Sequence, residues 1–461
     1  MYNDEASLSQ SVSTSQKMIF VCTMTKLSRL IRNFEKQKHS QQVAGALAVG
    51  MYAKSKACIW ANKTVSTGLK EYSVIYTDRA VNMLSEPFIK AMQKISVTMK
   101  LVYKAEGVAL IPGSGTYAME SCARQFGTGK RILIIRNGYF SFRWTDILDT
   151  IKISDDVTVL KAKPTGKGGE NTPCFAPPSI EEVVNAIKTQ KPDVVFAPHV
   201  ETSTGIILSD DYITKVAEAA HDVGALFVLD CVASGTYKTS HSVTSRLKPT
   251  ITGTVWVDMK KTGVDAIVSA PQKGWTGPAC CGLVMLSKRA EDRIHDDKAQ
   301  PSSNSFCCNL AKWLNVMESY EDGKAKYYTT LPTDSLMAWS NVLSETRNFG
   351  FDLSKSRIFE LGGKIRKVLE ENGFSSVADD SCKAPGVVVS YSPYEGMYAK
   401  FKEQGLQVAG GVPFKLGEKV DPPKQCFRIG LFGLDKNKNV DRTVATFEKA
   451  LKKIVAAEKK K

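Results

Sequence analysis

The chain has 461 residues, of which 43% are hydrophobic and 24% charged, the composition of an ordinary globular protein with room for two hydrophobic cores. No stretch approaches the roughly 18 consecutive apolar residues of a membrane span, and eleven cysteines without a repeated CxxC motif or a Cys/His cluster indicate a reducing compartment and no structural zinc. The net charge of +15 suits anionic ligands, but the lysines are spread along the chain, so we expect no nucleic-acid partner.

The first 70 residues differ in composition from the rest of the chain. Positions 6–16 are rich in Ser, Thr and Gln, and positions 17–64 are basic with Glu35 as their one acidic residue. This composition is similar to that of a mitochondrial transit peptide, although Asp4 and Glu5 count against one. A disordered extension or a wrongly placed gene start are the alternatives. We expect the protein in the cytoplasm or in mitochondria, and not secreted.

A candidate phosphate-binding turn comes next along the chain. The segment Ile111–Thr116 contains Ser114, Gly115 and Thr116 and leads into an amphipathic stretch from Tyr117 to Phe126. Glycines and hydroxyl groups at the N-terminus of a helix suit a phosphate group, because the helix dipole and the free amides both attract an anion. The sequence therefore predicts an anion site at this turn.

Apolar strands alternate with helical stretches from residue 71 to about 338, which predicts a mostly parallel sheet with crossover helices. Helices are predicted at 180–189 and 211–223, the second beginning with acidic residues that favour its dipole. Residues 339–461 predict a smaller α+β domain, with a helix at 356–372, strands at 386–391 and 425–431, and a closing helix at 441–457.

Two charged residues stand where buried strands are predicted to end. The apolar run Leu226–Asp230 ends in a carboxylate, at the place where α/β proteins direct side chains into the crevice beyond the strands. Lys273 follows the apolar run Ala266–Val268 and precedes a glycine-rich turn. Burial lowers the pKa of a lysine and leaves a neutral amine that can form a Schiff base with an aldehyde.

The order of these features along the chain points to one cofactor. Another apolar strand, from Val194 to His199, runs into the hydroxyl cluster Thr202–Thr204. A phosphate turn, a hydroxyl cluster, a strand-end Asp and a strand-end Lys together suit a molecule with a phosphate, a ring nitrogen and an aldehyde. That molecule is pyridoxal 5′-phosphate.

Over about residues 71–455 these motifs together resemble the class V aminotransferases of the fold-type I pyridoxal-phosphate enzymes, and the alanine–glyoxylate / serine–glyoxylate aminotransferase group in particular. The resemblance implies an α/β fold with a large pyridoxal-phosphate domain (71–338) and a small C-terminal domain (339–461). It implies a homodimer that moves an amino group from a small amino acid, of the alanine or serine type, to a 2-oxo acid such as glyoxylate or pyruvate by a ping-pong mechanism.

The resemblance also assigns roles to individual residues. Lys273 would bind the cofactor aldehyde and shuttle the substrate proton, Asp230 would pair with the ring nitrogen, and Arg428 would bind the substrate carboxylate. The remaining implied cofactor contacts are Ser114, Gly115, Thr116 and Gln272 at the phosphate, Phe140 and Val232 on the two faces of the ring, Thr202 or Ser203 at the ring hydroxyl, and Tyr327 and Thr330 from the partner subunit. No metal site is expected.

Other functions on the same framework remain open. Cysteine desulfurases carry a His before the Schiff-base lysine, whereas Gln272 stands there in this chain, which favours transamination. Phosphonate- and sulfonate-specific transaminases share the framework, and no residue decides between them and an alanine or serine enzyme. An inactive scaffold is the third possibility, but loss of the Lys273–Asp230 pair is expected there and the pair is present.

One stretch departs from the family pattern. After Asp230, the 18 polar residues Tyr237–Thr254 interrupt what is a short connection in the family. They are a surface insertion near the cofactor or, because Gly-Thr occurs on both sides, a retained intron. The stretch lacks apolar periodicity, so we expect it to be dispensable for folding and for cofactor binding.

Overall fold

The computed structural model of this chain describes residues 69–234, 257–296, 305–417 and 425–461. The interpretations of the N-terminal extension and of the insertion at 237–254 concern residues outside this description, apart from the last two residues of the extension. Lys70–Lys461 form one compact unit. No helix in the described ranges is long and apolar enough to cross a membrane.

The strands and helices follow the alternation that the sequence predicts. In chain order the strands are β1 (Gly107–Pro112), β2 (Ile132–Arg136), β3 (Val157–Lys161), β4 (Lys163–Gly169), β5 (Thr172–Ala176), β6 (Val194–Pro198), β7 (Val200–Glu201), β8 (Ile206–Ile207), β9 (Leu226–Asp230), β10 (Ala266–Ser269), β11 (Cys281–Leu286), β12 (Val387–Tyr391), β13 (Ala409–Gly410) and β14 (Cys426–Gly430). The helices are α1 (Glu86–Tyr103), α2 (Gly115–Gly127), α3 (Tyr139–Thr150), α4 (Ile180–Gln190), α5 (Asp210–Asp222), α6 (Met259–Thr262), α7 (Lys288–His295), α8 (Leu310–Glu321), α9 (Thr333–Phe349), α10 (Phe351–Glu371), α11 (Met397–Glu403), α12 (Leu434–Asn437) and α13 (Val440–Glu458).

A seven-stranded sheet with the order β1-β11-β10-β9-β6-β2-β3 lies at the centre of the larger core. Strand β11 is antiparallel to both of its neighbours, and the other strands run in one direction, so the predicted mostly parallel sheet is confirmed. All residues of β2, β6, β9 and β10 are buried. The sequences of such strands are continuous apolar runs, because helices cover both faces of the sheet and bury the side chains on each side.

Local signals place the crossover helices close to their predicted bounds. The Ser179 hydroxyl accepts a hydrogen bond from the Glu182 amide at the start of α4, and the Ser209 hydroxyl accepts one from the Tyr212 amide at the start of α5. Acidic residues follow in the first turn of both helices and stabilise the positive end of the helix dipole. The observed helices therefore begin within one residue of the prediction.

The direction of the strands decides where the functional residues meet. Because β1 and β10 are both antiparallel to β11, β1 runs parallel to β10, and with it to β9, β6 and β2. The carboxyl ends of these strands lie along one edge of the sheet. The segments that follow them include the turn at Ser114, the start of α3, the β7–β8 segment, Asp230 and the loop with Lys273.

A second core surrounds the three-stranded antiparallel sheet β12-β14-β13 and helices α10 and α13. It also includes side chains from the first half of the chain, among them Phe175 of β5 and Val200 of β7. The predicted domain boundary after residue 338 lies within α9, whose Leu336, Trp339 and Leu343 belong to the first core. The bounds of the two domains stay a prediction.

Candidate active site

The loop after β10 holds Lys273 in a tightly bonded turn. The Thr276 amide donates to the carbonyl oxygen of Lys273 at 3.0 Å, and the Gly277 amide donates to that of Pro271 at 2.8 Å. The buried Trp275 indole donates to the hydroxyl oxygen of Tyr103 at 3.2 Å. Burial lowers the pKa of Lys273, and the Asp230 carboxylate opposes this shift. The turn therefore presents an amine with an increased neutral fraction.

Asp230 is a buried carboxylate at the carboxyl end of β9, with 7% of its surface exposed. Its Oδ1 accepts a hydrogen bond from the Val232 amide at 2.9 Å. Burial raises the pKa of Asp230 to about 6, although the Val232 amide and the Lys273 ammonium both lower it. A buried carboxylate with a raised pKa is stabilised in its charged form by a cationic hydrogen-bond donor placed against it.

Three basic side chains lie close to the Phe140 ring. Its centroid is 5.6 Å from Lys273 Nζ, 5.6 Å from the Cζ of Arg428 and 5.3 Å from the Cζ of Arg143. Phe140 stands at the start of α3, Lys273 follows β10 and Arg428 lies on β14 of the second core. The fold thus brings together residues that are distant in sequence.

A cavity of about 360 Å³ opens between these side chains. Phe140, Thr202, Lys273 and Arg428 line it, and the rest of its wall comes mainly from the second core: Val387, Gln407, Val408, Ala409, Ile429, Gly430 and Phe432. Arg428 Nε donates to the carbonyl oxygen of Gly410 at 2.8 Å, which fixes the side chain against the edge strand β13. The cavity therefore combines an amine, a guanidinium, a hydroxyl and an aromatic ring with apolar walls.

The hydroxyl cluster after β6 separates into two environments. Ser203 Oγ donates to Glu201 Oε1 at 2.7 Å and accepts from the Tyr139 amide at 2.9 Å. Thr202 Oγ1 is buried and has no hydrogen-bond partner among the described residues. A buried hydroxyl without a hydrogen-bond partner destabilises the fold by about 1–3 kcal/mol. Of Thr202 and Ser203, Thr202 is therefore the residue whose hydroxyl is available to bind a ligand.

The predicted phosphate turn lies at the N-terminus of α2 and packs against the segment after Asp230. The Ser114 side chain makes no capping hydrogen bond to the helix. A Cβ atom on Gly115 would lie 2.6 Å from Val232 Cγ2, so only glycine permits this close approach. Thr116 Oγ1 accepts a hydrogen bond from Arg143 Nη1 at 3.0 Å.

Three of the predicted contacts that do not line the cavity are exposed to solvent. Gln272 is exposed beside Lys273. Tyr327, with 57% of its surface exposed, and the exposed Thr330 lie in the segment between α8 and α9, and neither lines the cavity. Their assignment to the phosphate site of a neighbouring subunit stays a prediction.

Glu201 is a site residue that sequence analysis missed. Its fully buried carboxylate accepts hydrogen bonds from the amides of Phe140 (3.1 Å), Ser141 (2.8 Å) and Ser203 (3.0 Å) and from both serine hydroxyls (2.7 Å each). It therefore holds the first turn of α3, which carries Phe140, against the loop that carries Thr202. The available signal was a single acidic residue between the apolar strand at 194–198 and the hydroxyl cluster at 202–204.

We expect Glu201→Gln to destabilise the protein by about 2–4 kcal/mol, because the amide group would face backbone amides and leave buried donors without an acceptor. Urea unfolding followed by circular dichroism measures the change. Glu86→Gln is the control, since Glu86 pairs with Lys90 on the exposed surface of α1, and it should leave the unfolding midpoint unchanged. Equal midpoints for both variants would show that the Glu201 network adds no stability.

Comparison with known proteins places the fold. No protein-family model matches the chain. Alanine–glyoxylate aminotransferase 1 of Saccharomyces cerevisiae is 24% identical over 370 residues, covering 77% of this chain and 87% of the yeast protein. The 2-aminoethylphosphonate–pyruvate transaminase of Vibrio vulnificus is also 24% identical, over 364 residues, covering 77% of this chain and 86% of the relative.

A solved structure has the same fold. The crystal structure of an alanine–glyoxylate aminotransferase from Nostoc sp. superposes with a TM-score of 0.63 at 22% identity, covering 80% of this chain and 89% of that chain. The fold-type I architecture expected from the sequence is therefore confirmed. The resemblance to class V aminotransferases is confirmed by these relatives as well.

Proposed function

We propose that this chain, a relative of alanine–glyoxylate and 2-aminoethylphosphonate–pyruvate aminotransferases, is a pyridoxal-phosphate-dependent aminotransferase. It moves the amino group of a small amino acid, of the alanine or serine type, to a 2-oxo acid such as glyoxylate or pyruvate by a ping-pong mechanism. The observation that carries the proposal is the convergence of Lys273, Arg428 and Thr202 on one cavity beside Phe140, with Asp230 buried next to it.

The residues present fit pyridoxal phosphate at both of its ends. Thr202 offers a buried hydroxyl that none of the described residues hydrogen-bonds, and Asp230 offers a buried carboxylate with a raised pKa. The N-terminus of α2 offers an anion site at Ser114, where glycine keeps the turn open, and Phe140 offers an aromatic face. When bound, the cofactor supplies the sink for the electrons of the broken Cα–H bond.

Asp230 would pair with the ring nitrogen of the cofactor and favour its protonated form. A carboxylate placed against a ring nitrogen stabilises the protonated form of that nitrogen, because an opposite charge nearby raises its pKa. The Asp230 carboxylate would accept a hydrogen bond from that protonated nitrogen. Asp230 would in this way support the electron sink that the bound cofactor supplies.

Lys273 moves the substrate proton. Burial lowers the pKa of its amine, so a neutral Nζ is available to take the proton from the substrate Cα. The turn formed by the Thr276 and Gly277 amides limits the motion of this residue, and the buried Trp275 holds the turn to α1 through Tyr103. The anchored backbone keeps the Lys273 side chain beside the site, where Nζ would take the proton from the substrate Cα and deliver it to the neighbouring carbon of the cofactor, as transamination requires.

Arg428 binds the α-carboxylate of the substrate. Its planar guanidinium matches a carboxylate bidentately, and the bond from Nε to Gly410 keeps the fork oriented. Among the described residues that line the cavity, Arg428 and Lys273 are the cations, and Val387, Val408 and Ile429 are apolar. This wall suits a small neutral side chain better than a second carboxylate.

The alternative within enzymes is a transaminase specific for a phosphonate or sulfonate. It is supported by the 2-aminoethylphosphonate–pyruvate relative, whose identity equals that of the yeast alanine–glyoxylate relative. Half-reactions of the wild-type protein, followed by the visible absorbance of the cofactor, separate the two functions. Faster reaction with alanine or serine supports our proposal, and faster reaction with 2-aminoethylphosphonate supports the alternative.

We expect Arg428→Ala to reduce kcat/KM for alanine by a factor equivalent to about 2–5 kcal/mol, because the variant removes a buried contact to a charged group. Half-reaction rates measure the effect. Ethylamine is the control donor, since it lacks the carboxylate, and its slow rate should be the same for the variant and the wild type. An equal loss with ethylamine would show that Arg428 does not bind the carboxylate.

We also propose that two copies of this chain assemble into a homodimer in which Tyr327 and Thr330 complete the neighbour's phosphate site. Both residues are exposed and neither lines the cavity of its own chain, which supports this arrangement. Mixing Lys273→Ala subunits with subunits that carry Tyr327→Ala and Thr330→Ala should restore one intact site in each heterodimer. Heterodimers that form without recovering activity would show that each site is built within one chain.

A further inference from the structure

Arg143 has no role in the proposed reaction, yet it lies within the site. It stands one turn after Phe140 on α3, half-buried, with its Cζ 5.3 Å from the Phe140 centroid. Its Nη1 donates to Thr116 Oγ1 at 3.0 Å. Because residues three apart on a helix share a face, α3 presents an aromatic ring and a guanidinium side by side.

The contact with Thr116 places the positive charge at the phosphate turn. Thr116 lies in the first turn of α2, immediately after Ser114 and Gly115. Arg143 is absent from the lining of the cavity around Arg428, where the substrate carboxylate is proposed to bind. The guanidinium therefore belongs to the end of the site that receives the phosphate and not to the end that receives the substrate.

The hydrogen bond also determines what the Thr116 hydroxyl can do. An arginine side chain only donates, so Thr116 Oγ1 must accept in this pair. The hydroxyl proton then remains to be donated to another group. An anion at the turn would accept a hydrogen bond from the Thr116 hydroxyl and would lie close to the positive charge of Arg143.

We propose that Arg143 is a positioning residue for the cofactor phosphate: it orients the Thr116 hydroxyl as a donor and supplies the cationic charge that the α2 N-terminus lacks. This inference rests on the proposed function. With Lys273 and Arg428 assigned to the aldehyde and the substrate, Arg143 is the described cation in contact with the phosphate turn. The amides of a helix N-terminus carry only about half a unit charge, whereas a phosphate carries nearly two.

The test compares the affinity of the apoprotein for pyridoxal phosphate and for pyridoxal, which lacks the phosphate. Equilibrium dialysis with absorbance detection gives both dissociation constants without any measurement of activity. We expect Arg143→Gln to weaken pyridoxal phosphate binding by about tenfold or more, and pyridoxal binding by less than about threefold. Arg143→Lys should recover part of the lost affinity for pyridoxal phosphate, because lysine keeps the positive charge but lacks the planar guanidinium group.

Three further measurements make the result specific. Thr116→Val should weaken pyridoxal phosphate binding in the same direction, and the double variant should show less than the sum of the two effects. Arg131→Gln, at an exposed arginine paired with Asp156, should change neither constant. The affinity of the wild type for pyridoxal phosphate should fall with added salt more steeply than that of Arg143→Gln.

The outcomes separate this inference from the proposed function. Equal weakening of pyridoxal and pyridoxal phosphate, or no weakening of either, overturns the role of Arg143. Loss of both together with a lowered thermal midpoint of the apoprotein would show that Arg143 supports the fold and not the phosphate. A wild-type protein that binds no pyridoxal phosphate would instead contradict the proposed function itself.

Discussion

Lys273→Ala should lower the rate of transamination by at least about 10³-fold, since the proton-transfer group at the reacting carbon is lost. The covalent bond to the cofactor is lost with it, so the variant should bind pyridoxal phosphate reversibly and release it on dialysis. The loss should appear with every amino donor, unlike the selective loss expected for Arg428→Ala. Fold and assembly should be preserved, because the turn around Lys273 is held by its backbone amides and by Trp275.

Borohydride reduction followed by peptide mapping tests this assignment directly. In the wild type, reduction in the presence of pyridoxal phosphate should label Lys273. Lys261→Ala is the matched control, because Lys261 is an exposed lysine on α6, and this variant should keep both the label and the activity. A label on another lysine in the wild type would show that Lys273 is not the residue that binds the cofactor.

Asp230→Asn should depress kcat with every donor while leaving the substrate carboxylate contact intact. An amide cannot hold a proton on the ring nitrogen as a carboxylate does, so the ring becomes a weaker electron sink. Stopped-flow half-reactions with alanine and with serine measure this effect. We expect a similar fold-loss for both, since the two donors share the step that Asp230 assists. A loss confined to one donor would indicate a role in substrate binding instead.

The same variant should stabilise the apoprotein at neutral pH. The pKa of Asp230 is raised from 3.8 to about 6 by burial, so the folded state favours the protonated form more than the unfolded state does. The contribution of this protonated carboxyl to the stability of the folded state is complete below pH 4, and it is lost as the pH rises through about 6. At pH 7 the buried carboxylate therefore destabilises the apoprotein relative to an asparagine, by about 2–3 kcal/mol.

Urea unfolding of the apoprotein between pH 4 and pH 7 measures this effect. The advantage of Asp230→Asn over the wild type should be largest at pH 7 and should vanish near pH 4. Asp265→Asn is the matched control, because Asp265 is also buried but pairs with His221 (2.9 Å) and Arg289 (3.2 Å). It should destabilise the protein at pH 7. If Asp230→Asn were no more stable than the wild type at pH 7, burial of the Asp230 carboxylate would not destabilise the protein.

The sequence by itself determined many of the buried strands and helices, and it predicted Asp230 at the end of one strand and Lys273 in the loop after another. Apolar runs such as Leu226–Asp230 identify buried strands locally, and Ser179 and Ser209 mark the starts of two helices. A strand-end Asp and a strand-end Lys then follow from position along the chain, because α/β sheets direct such residues into one crevice. Helix α10 was predicted five residues short at its start, where Gly350, at a φ of 94°, separates it from α9.

Only the tertiary structure decided which of the remaining side chains meet. Glu201 binds the amides of Phe140 and Ser141, about 60 residues earlier in the chain, and also accepts from the Ser203 hydroxyl, whereas the Thr202 hydroxyl has no partner among the described residues. The contact between Arg143 and Thr116 is of the same kind. Local periodicity reports which face of an element is buried, but not its neighbour. The neighbours are set by the order and direction of the strands, since these place the carboxyl ends of β1, β2, β6, β9 and β10 along one edge.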